Sequence, residues 1–222
     1  MTIQNQELRD FLRRLPLDLP YRDIAVTGPS GSGKSTLIKK DQHCILNVKP
    51  DYFGFSVSGA TRDQRTNEVD GEDYNFFKTL EKFHSHIYLE TNEYEGNSKL
   101  YGTLLSEAER INIRENKSMV LDLDINGGKR MKEIYKNRLL WVFLSVPIDQ
   151  LLGRLQKRML ETGESEEQIK SRIITAEKEQ QLVRDKILVP DLIIDYSNFV
   201  NTANVVDLIL KNASYTQSLL KL

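Results

Sequence analysis

The chain has few of the residues that build disulfides or zinc sites, and neither sign of charge dominates it. One cysteine, Cys44, and three histidines occur among 222 residues, so no internal disulfide and no zinc-ligand spacing of these residue types can be assembled. No apolar run approaches the roughly 20 residues of a transmembrane helix, and a secretory signal is also missing. The formal net charge is only −1, without the basic excess of a nucleic-acid-binding protein. We therefore predict a cytoplasmic protein with neither membrane nor nucleic acid as a partner.

A glycine-rich segment follows the first short apolar run, Ile24–Val26. It matches the phosphate-binding pattern G-x-x-x-x-G-K-S/T over the residues Gly28, Pro29, Ser30, Gly31, Ser32, Gly33, Lys34, Ser35 and Thr36. Between a strand and a helix, such a loop points backbone N–H groups and a helix N-terminus at phosphate; Lys34 can reach the terminal phosphates and Ser35 can hold Mg²⁺. A flexible Gly/Ser turn is the alternative, but the apolar residues on both sides favour a nucleoside triphosphate site.

The remaining apolar runs predict an α/β fold with one core. The length suits one α/β domain with an insertion. Three short runs do not alternate with polar residues, which is typical of strands buried on both faces of a parallel sheet; they are 119–121, 139–144 and 192–194. The segment from Tyr52 to Leu105 instead contains the alternating run 53–58 and an Asp70-Gly71 turn signal, so we predict an inserted β-rich subdomain there.

Residues 1–22 are predicted to form an extension with an amphipathic helix. Leu8, Phe11, Leu12 and Leu15 have helical spacing and form one apolar stripe. The stripe is expected to pack on this chain or on a second copy of it. A mitochondrial targeting helix is the alternative, which the acidic residues of this segment disfavour.

Two helices are predicted after the strand at 139–144. The first begins beside Pro147 and carries an apolar face, and the second begins where Ser165 and Gln168 have the spacing of a capping box. With a turn at Thr162-Gly163 between them, the pair is expected to act as a mobile flap. A closing helix is expected over residues 201–211.

Several motifs in the middle of the chain together resemble the guanylate kinase family. In chain order they are Phe53–Ser58, Thr61-Arg62, Arg65, Glu68–Gly71, Asp73–Phe76, Glu90, Tyr101–Thr103 and Val120–Gly127. The similarity extends from Asp23 to about Ile194. It implies a P-loop core with a parallel sheet flanked by helices (residues 23–51, 106–149 and 174–222), a GMP-binding subdomain (52–105) and a helical lid (150–173), all within a domain of residues 23–222.

The same resemblance implies roles for the matched residues. Arginines can grip phosphate oxygens through bidentate forks and tyrosines can donate further hydrogen bonds, while guanine requires acceptors for its ring NH and amino group and a donor for its carbonyl. The implied GMP-binding residues are Ser58, Arg62, Arg65, Tyr74, Glu90, Tyr101, Thr103, Asp122 and Asp124. The implied catalytic residues are Lys34, Arg62, Asp122, Arg154, Arg158 and Arg172, with Ser35 as the Mg²⁺ ligand.

The activity that this resemblance implies is phosphorylation of GMP, and of dGMP, with ATP as co-substrate and Mg²⁺ as cofactor, by a monomer or homodimer in purine nucleotide metabolism. Two alternatives stay open. One is a non-catalytic guanylate-kinase-like module that binds protein partners, against which the complete phosphate loop argues. The other is a related kinase of a different phosphorylated small molecule, against which Glu90 together with Asp124 argues.

Overall fold

The structure is a computed structural model that describes residues 3–65, 68–94, 99–162, 165–196 and 201–215. Its strands are β1 (Asp23–Thr27), β2 (Phe53–Phe55), β3 (Gly59–Ala60), β4 (Asn75–Phe76), β5 (Tyr88–Tyr94), β6 (Lys99–Leu104), β7 (Ser118–Asp122), β8 (Leu139–Ser145) and β9 (Leu192–Asp195).

The described helices are α1 (Ile3–Arg14), α2 (Ile45–Val48), α3 (Leu80–His84), α4 (Leu105–Ala108), α5 (Ile125–Tyr135), α6 (Ile148–Thr162), α7 (Glu166–Arg184) and α8 (Thr202–Ala213), with further helical turns at Thr36–Lys40, Glu109–Arg114 and Lys136–Arg138. None of the helices in the described ranges combines the length and apolar character needed to cross a membrane. The helix expected at 201–211 is present as α8, two residues longer at its C-terminal end.

Five strands form a parallel sheet in the order β2-β7-β1-β8-β9. All of β1 and six of the seven residues of β8 are buried, because helices cover both faces of the sheet. Val26 of β1 lies between Asp122 of β7 and Val142 of β8. The carboxyl ends of these three strands therefore meet at one edge, where open α/β sheets place their ligands. The predicted α/β fold is confirmed.

The N-terminal helix packs on this chain. Phe11 is fully buried and Leu15 is nearly so, in the cluster that also contains side chains of β7 and α5, and Leu8 and Leu12 pack against the same cluster. Burying a side chain such as Phe11 is worth about 2 kcal/mol of hydrophobic stabilisation. The apolar stripe of α1 therefore belongs to the core of its own chain.

A second sheet, in the order β4-β3-β6-β5, forms the inserted subdomain. Its side chains build a small separate core around Phe83, Tyr88 and Leu104. The predicted start of this subdomain is wrong for Phe53–Phe55, because β2 pairs with β7 in the main sheet and Phe53 packs in the main core. Alternation along a segment does not reveal which sheet the segment joins, and this explains the error.

Candidate nucleotide-binding site

The glycine-rich loop connects β1 to the helical turn Thr36–Lys40, as predicted. Gly28, Gly31 and Gly33 have φ angles of +141°, +84° and +99°, in a region of backbone conformation that residues other than glycine rarely adopt. A Cβ atom on Gly28 would lie 2.7 Å from the carbonyl oxygen of Leu144. The loop therefore needs glycine both for its backbone conformation and for its close packing on β8.

Lys34, Ser35 and Asp122 meet at the carboxyl edge of the sheet. The Lys34 ammonium donates to the Gly28 carbonyl oxygen at 2.8 Å, and its Nζ lies 3.9 Å from Asp122 Oδ1. The Ser35 hydroxyl donates to Asp122 Oδ2 at 3.0 Å. The hydroxyl and the carboxylate supply oxygen ligands of the kind that Mg²⁺ prefers, so these residues fit the predicted cofactor.

Three arginines on the two helices after β8 converge on the phosphate loop. Arg154 donates to the Gly31 carbonyl oxygen at 3.3 Å. Arg158 and Arg172 donate to the Ser30 hydroxyl oxygen at 3.4 Å and 3.0 Å. Arg154 and Arg158 lie on α6 and Arg172 lies on α7. Residues far apart in sequence thus bring three positive charges to one side of the loop.

The start of α7 is the predicted capping box. The Ser165 side chain accepts a hydrogen bond from the Gln168 backbone, and the Gln168 side chain accepts one from the Ser165 backbone at 2.8 Å. The predicted turn at Thr162-Gly163 includes Gly163, which lies outside the described residues. The mobility expected of the flap stays a prediction.

Arg62 is held by a carboxylate and by two aromatic rings. Its two terminal nitrogens each lie 2.6 Å from an oxygen of Glu68, and its guanidinium lies 4.8 Å and 5.2 Å from the ring centroids of Tyr74 and Phe76. Glu68 also accepts from the backbone N–H of Arg65 at 3.0 Å. Burial is the largest single influence and raises the pKa of Glu68, but the hydrogen bonds from Arg62 and Arg65 and the charges of both arginines together outweigh it, so the net pKa is lowered.

Sequence analysis assigned no role to Glu68. The available signal was its position three residues after Arg65, within the motif that supports the family resemblance. Its side chain fixes the orientation of Arg62, since a bidentate pair allows a planar guanidinium only one arrangement.

Tyr74 and Tyr101 lie beside Arg62 and have ring centroids 6.0 Å apart. Burial is the largest influence on Tyr74 and raises the pKa of its phenol well above the ordinary range. The hydroxyl of Tyr74 therefore stays protonated at physiological pH and can donate a hydrogen bond. The structure thus groups Arg62, Tyr74 and Tyr101, three of the predicted phosphate-binding residues.

Glu90 and Asp124 form a second, acidic region, in which Glu90 is buried and Asp124 is half-buried. Glu90 is 7% exposed, and its Oε1 accepts from the backbone and the hydroxyl of Thr103 at 3.1 Å and 2.8 Å. Asp124 caps α5 by accepting from the Gly127 backbone at 2.7 Å. A Cβ atom on Gly127 would lie 3.2 Å from Asp124 Oδ1 and 3.3 Å from Glu90 Oε2, so both carboxylates face this glycine. Ser58, also predicted for this region, is buried just before β3.

The electrostatics of Glu90 follow from this arrangement. Burial is the main reason that the pKa of Glu90 is raised, and the nearby Asp124 charge raises it further, against the opposing hydrogen bonds from Thr103. Hydrogen-bond donors on a ligand would stabilise the ionised form of this buried carboxylate.

A salt bridge joins the segment after the phosphate loop to the segment that carries Tyr74. Lys39, in the helical turn after the phosphate loop, lies 2.8 Å from Asp73 and donates to the Glu72 carbonyl oxygen at 3.1 Å. Its ammonium also lies 4.4 Å from the ring centroid of Phe55. The pair was not predicted from the sequence, because its members are 34 positions apart and neither residue alone indicates an ion pair.

Glu179 on α7 is a further acid that sequence analysis missed. It is 9% exposed, and its Oε2 atom has no hydrogen-bond partner within the described part of the chain. Burial raises its pKa to about 7, although the positive charge of Lys34 acts in the opposite direction. The positive charge of Lys34 therefore acts on two acids, Asp122 and Glu179.

A phosphate loop at the carboxyl edge of a parallel sheet, faced by arginines and by an inserted sheet, defines a P-loop nucleotide-binding protein. The family model for guanylate kinase matches residues 21–212, and the chain belongs to the guanylate kinase family. The chain is 39% identical to the guanylate kinase of Porphyromonas gingivalis over 160 residues, which cover 70% of this chain and 80% of that protein.

Two further comparisons agree with this assignment. Identity with the guanylate kinase of Sus scrofa is 38% over 149 residues, covering 65% of this chain and 71% of that protein. The crystal structure of guanylate kinase from Anaplasma phagocytophilum matches with a TM-score of 0.62 at 20% identity, over 92% of this chain and 90% of that chain. At that identity the structural match shows the shared fold.

Proposed function

We propose that the protein transfers the terminal phosphoryl group of ATP to GMP, and likewise to dGMP, in purine nucleotide metabolism. One observation carries this proposal: a single chain of the guanylate kinase family contains both a complete phosphate loop and a pair of neighbouring acids, the buried Glu90 and the half-buried Asp124, beside Gly127. We place the enzyme in the cytoplasm, as a monomer or homodimer.

At the ATP end, the loop residues Gly28–Thr36 cradle the phosphates. Lys34 moves from the Gly28 carbonyl, where its Nζ lies at 2.8 Å, to the phosphate oxygens that carry the transferring charge. Ser35 and Asp122 would hold Mg²⁺, which when bound would neutralise phosphate charge. Because phosphoryl transfer demands little covalent chemistry from the protein, positioning and charge neutralisation supply most of the rate.

At the GMP end, Arg62 and Arg65 grip the monophosphate and the hydroxyls of Tyr74 and Tyr101 donate to it. The bidentate pair with Glu68, at 2.6 Å on both sides, presents Arg62 in a fixed orientation. Such preorganisation lowers the entropy lost when the phosphate is bound.

The base is read by the buried acids and by short hydroxyl side chains. Glu90 accepts hydrogen bonds from the guanine ring NH and amino group, and Asp124 accepts a second amino proton. Ser58 supplies a donor, and Thr103 supplies one by turning its hydroxyl from Glu90 Oε1, to which it donates in this structure, to the base. Adenine offers a different set of donors and acceptors, so it would leave these buried groups unpaired.

A coupled assay of ADP formation from ATP tests this function, with GMP, AMP, CMP and UMP as separate acceptors. We expect rapid turnover with GMP alone. Absence of turnover with every acceptor, in a protein that still binds GMP, would favour the protein-binding module. Turnover only with another phosphorylated acceptor would favour a different small-molecule kinase.

We expect α6 and α7 to close on bound ATP, because their arginines can bind its phosphates. Their contacts with the loop, at 3.0 to 3.4 Å, can be exchanged for stronger charge-assisted hydrogen bonds to phosphate. Hydrogen exchange in α6 and the first half of α7 should slow when an ATP analogue and GMP bind together, and more than with GMP alone.

The inserted sheet supplies the internal control for this measurement. Exchange over residues 58–94 and 99–103 should respond to GMP by itself, because Arg62 and its neighbours need no ATP. If saturating concentrations of both ligands leave exchange in α6 and α7 unchanged, closure of these helices is not part of the mechanism.

A further inference from the structure

Asn92 lies in the predicted guanine region, although sequence analysis did not single it out. It follows Glu90 by two positions on β5, so the two side chains lie on the same face of the sheet. Asn92 is half-buried, and its side-chain amide donates a hydrogen bond to Asp124 Oδ2. The other oxygen of Asp124 accepts from the Gly127 backbone at 2.7 Å.

Asp124 is therefore fixed from two sides, by the start of α5 and by β5. Arg130 of α5 donates to the Thr91 carbonyl oxygen, which anchors the strand segment that carries Asn92 beside the helix. An ionised carboxylate has about four acceptor positions, so the two hydrogen bonds leave Asp124 free to accept more. The remaining positions have a defined direction because a hydrogen bond to each oxygen restrains rotation of the carboxylate.

The charge of this region explains why a neutral amide suits the position. Asp124 lies close enough to Glu90 to raise the pKa of that acid, and two neighbouring carboxylates repel each other. A neutral amide donates to Asp124 without adding charge to the region, whereas a cationic side chain would itself pair with both acids and compete with the donors of the base.

We propose that Asn92 is a specificity-determining positioning residue, which aims the Asp124 carboxylate at the 2-amino group of guanine. The inference rests on the proposed function, since it assumes that GMP is the acceptor. It adds a role for a residue outside the carboxylates and hydroxyls that the family resemblance implied.

Comparison of GMP with inosine monophosphate tests the proposal. Inosine monophosphate presents the same ring NH and carbonyl but lacks the 2-amino group, so it gains nothing from a well-aimed Asp124. In Asn92→Ala, kcat/KM for GMP should fall about 10-fold, the effect of one charge-assisted hydrogen bond, while kcat/KM for inosine monophosphate should change less than about 2-fold. Asn92→Val, which has no hydrogen-bond donor in its side chain and favours a strand, should reproduce this selective loss.

Glu93→Ala is the matched control, because Glu93 is exposed and lies on the opposite face of β5. This substitution should leave kcat/KM unchanged for both substrates. A second control removes the carboxylate while keeping the helix cap, since serine is also a good capping residue. In the Asp124→Ser background, Asn92→Ala should cause no further change in the preference for GMP over inosine monophosphate.

Three results would overturn the proposal. These are an equal loss for the two substrates in both Asn92 variants, no loss for either substrate, and a full additional loss of preference in the Asp124→Ser background. Failure of the proposed function would look different, because the unmodified enzyme would then not phosphorylate GMP at all.

Discussion

The Lys34→Met variant is expected to keep its fold and to lose about 100-fold or more in turnover number, because one preorganised charge on the transferring phosphate commonly contributes that much. Methionine retains the apolar stem of a side chain that is only 16% exposed, so the change removes mainly the charge. Steady-state ADP formation at saturating ATP and GMP measures the effect.

The same substitution has a second electrostatic consequence. Without the ammonium near Asp122 and Glu179, the pKa of Glu179 should rise further, since the Lys34 charge holds it down. A thermal melt and a far-UV circular dichroism spectrum must therefore accompany the kinetics. Lys40→Ala is the control, because Lys40 is exposed next to the same loop. Near-normal turnover in a folded Lys34→Met protein would remove the catalytic assignment of the loop lysine.

The sequence was sufficient to predict features that depend on neighbouring residues. The phosphate loop is nine consecutive residues, and the strands beside it are continuous apolar runs whose burial follows from their composition. The capping box at Ser165 and the stripe on α1 have the same local character. These features are all present in the structure.

Features that depend on pairing between distant segments could not be predicted in the same way. Phe53–Phe55 alternates like a strand of the inserted sheet, yet its partner is β7 of the main sheet. The bridge between Lys39 and Asp73 and the hydrogen bond from Asn92 to Asp124 each join residues more than 30 positions apart. Charged and amide side chains are common on surfaces, so only the fold distinguishes these residues from ordinary solvated ones.

The bridge between Lys39 and Asp73 also bears on how the two substrates are brought together. It connects the helical turn after the phosphate loop directly to the segment that carries Tyr74. Partly exposed ion pairs contribute only modestly to stability, but this pair belongs to a larger set of hydrogen bonds, since Asp73 also accepts from the Val69 backbone at 2.9 Å. The two phosphate sites are therefore linked through the protein itself.

Selection of the base should produce the largest effect of all. GMP is expected to be preferred over AMP by roughly 10⁴-fold in kcat/KM, because a site built from buried hydrogen-bonding groups rejects a ligand that leaves them unpaired. Glu90 is 7% exposed and has one oxygen, Oε2, directed toward the region that Gly127 borders.

The Glu90→Gln variant should reduce this preference chiefly by lowering kcat/KM for GMP, since the amide replaces one hydrogen-bond acceptor with a donor. The kcat/KM for AMP should change little, because adenine makes no matching hydrogen bonds to Glu90. The pH dependence has a definite sign. Because the pKa of Glu90 is raised by burial, the acid becomes protonated at a higher pH than an exposed glutamate does. The KM for GMP should therefore rise as pH falls, and this rise should be smaller in Glu90→Gln, where only the protonation of the GMP phosphate remains. Equal phosphorylation of AMP and GMP by the unmodified enzyme would contradict guanine recognition by this acid.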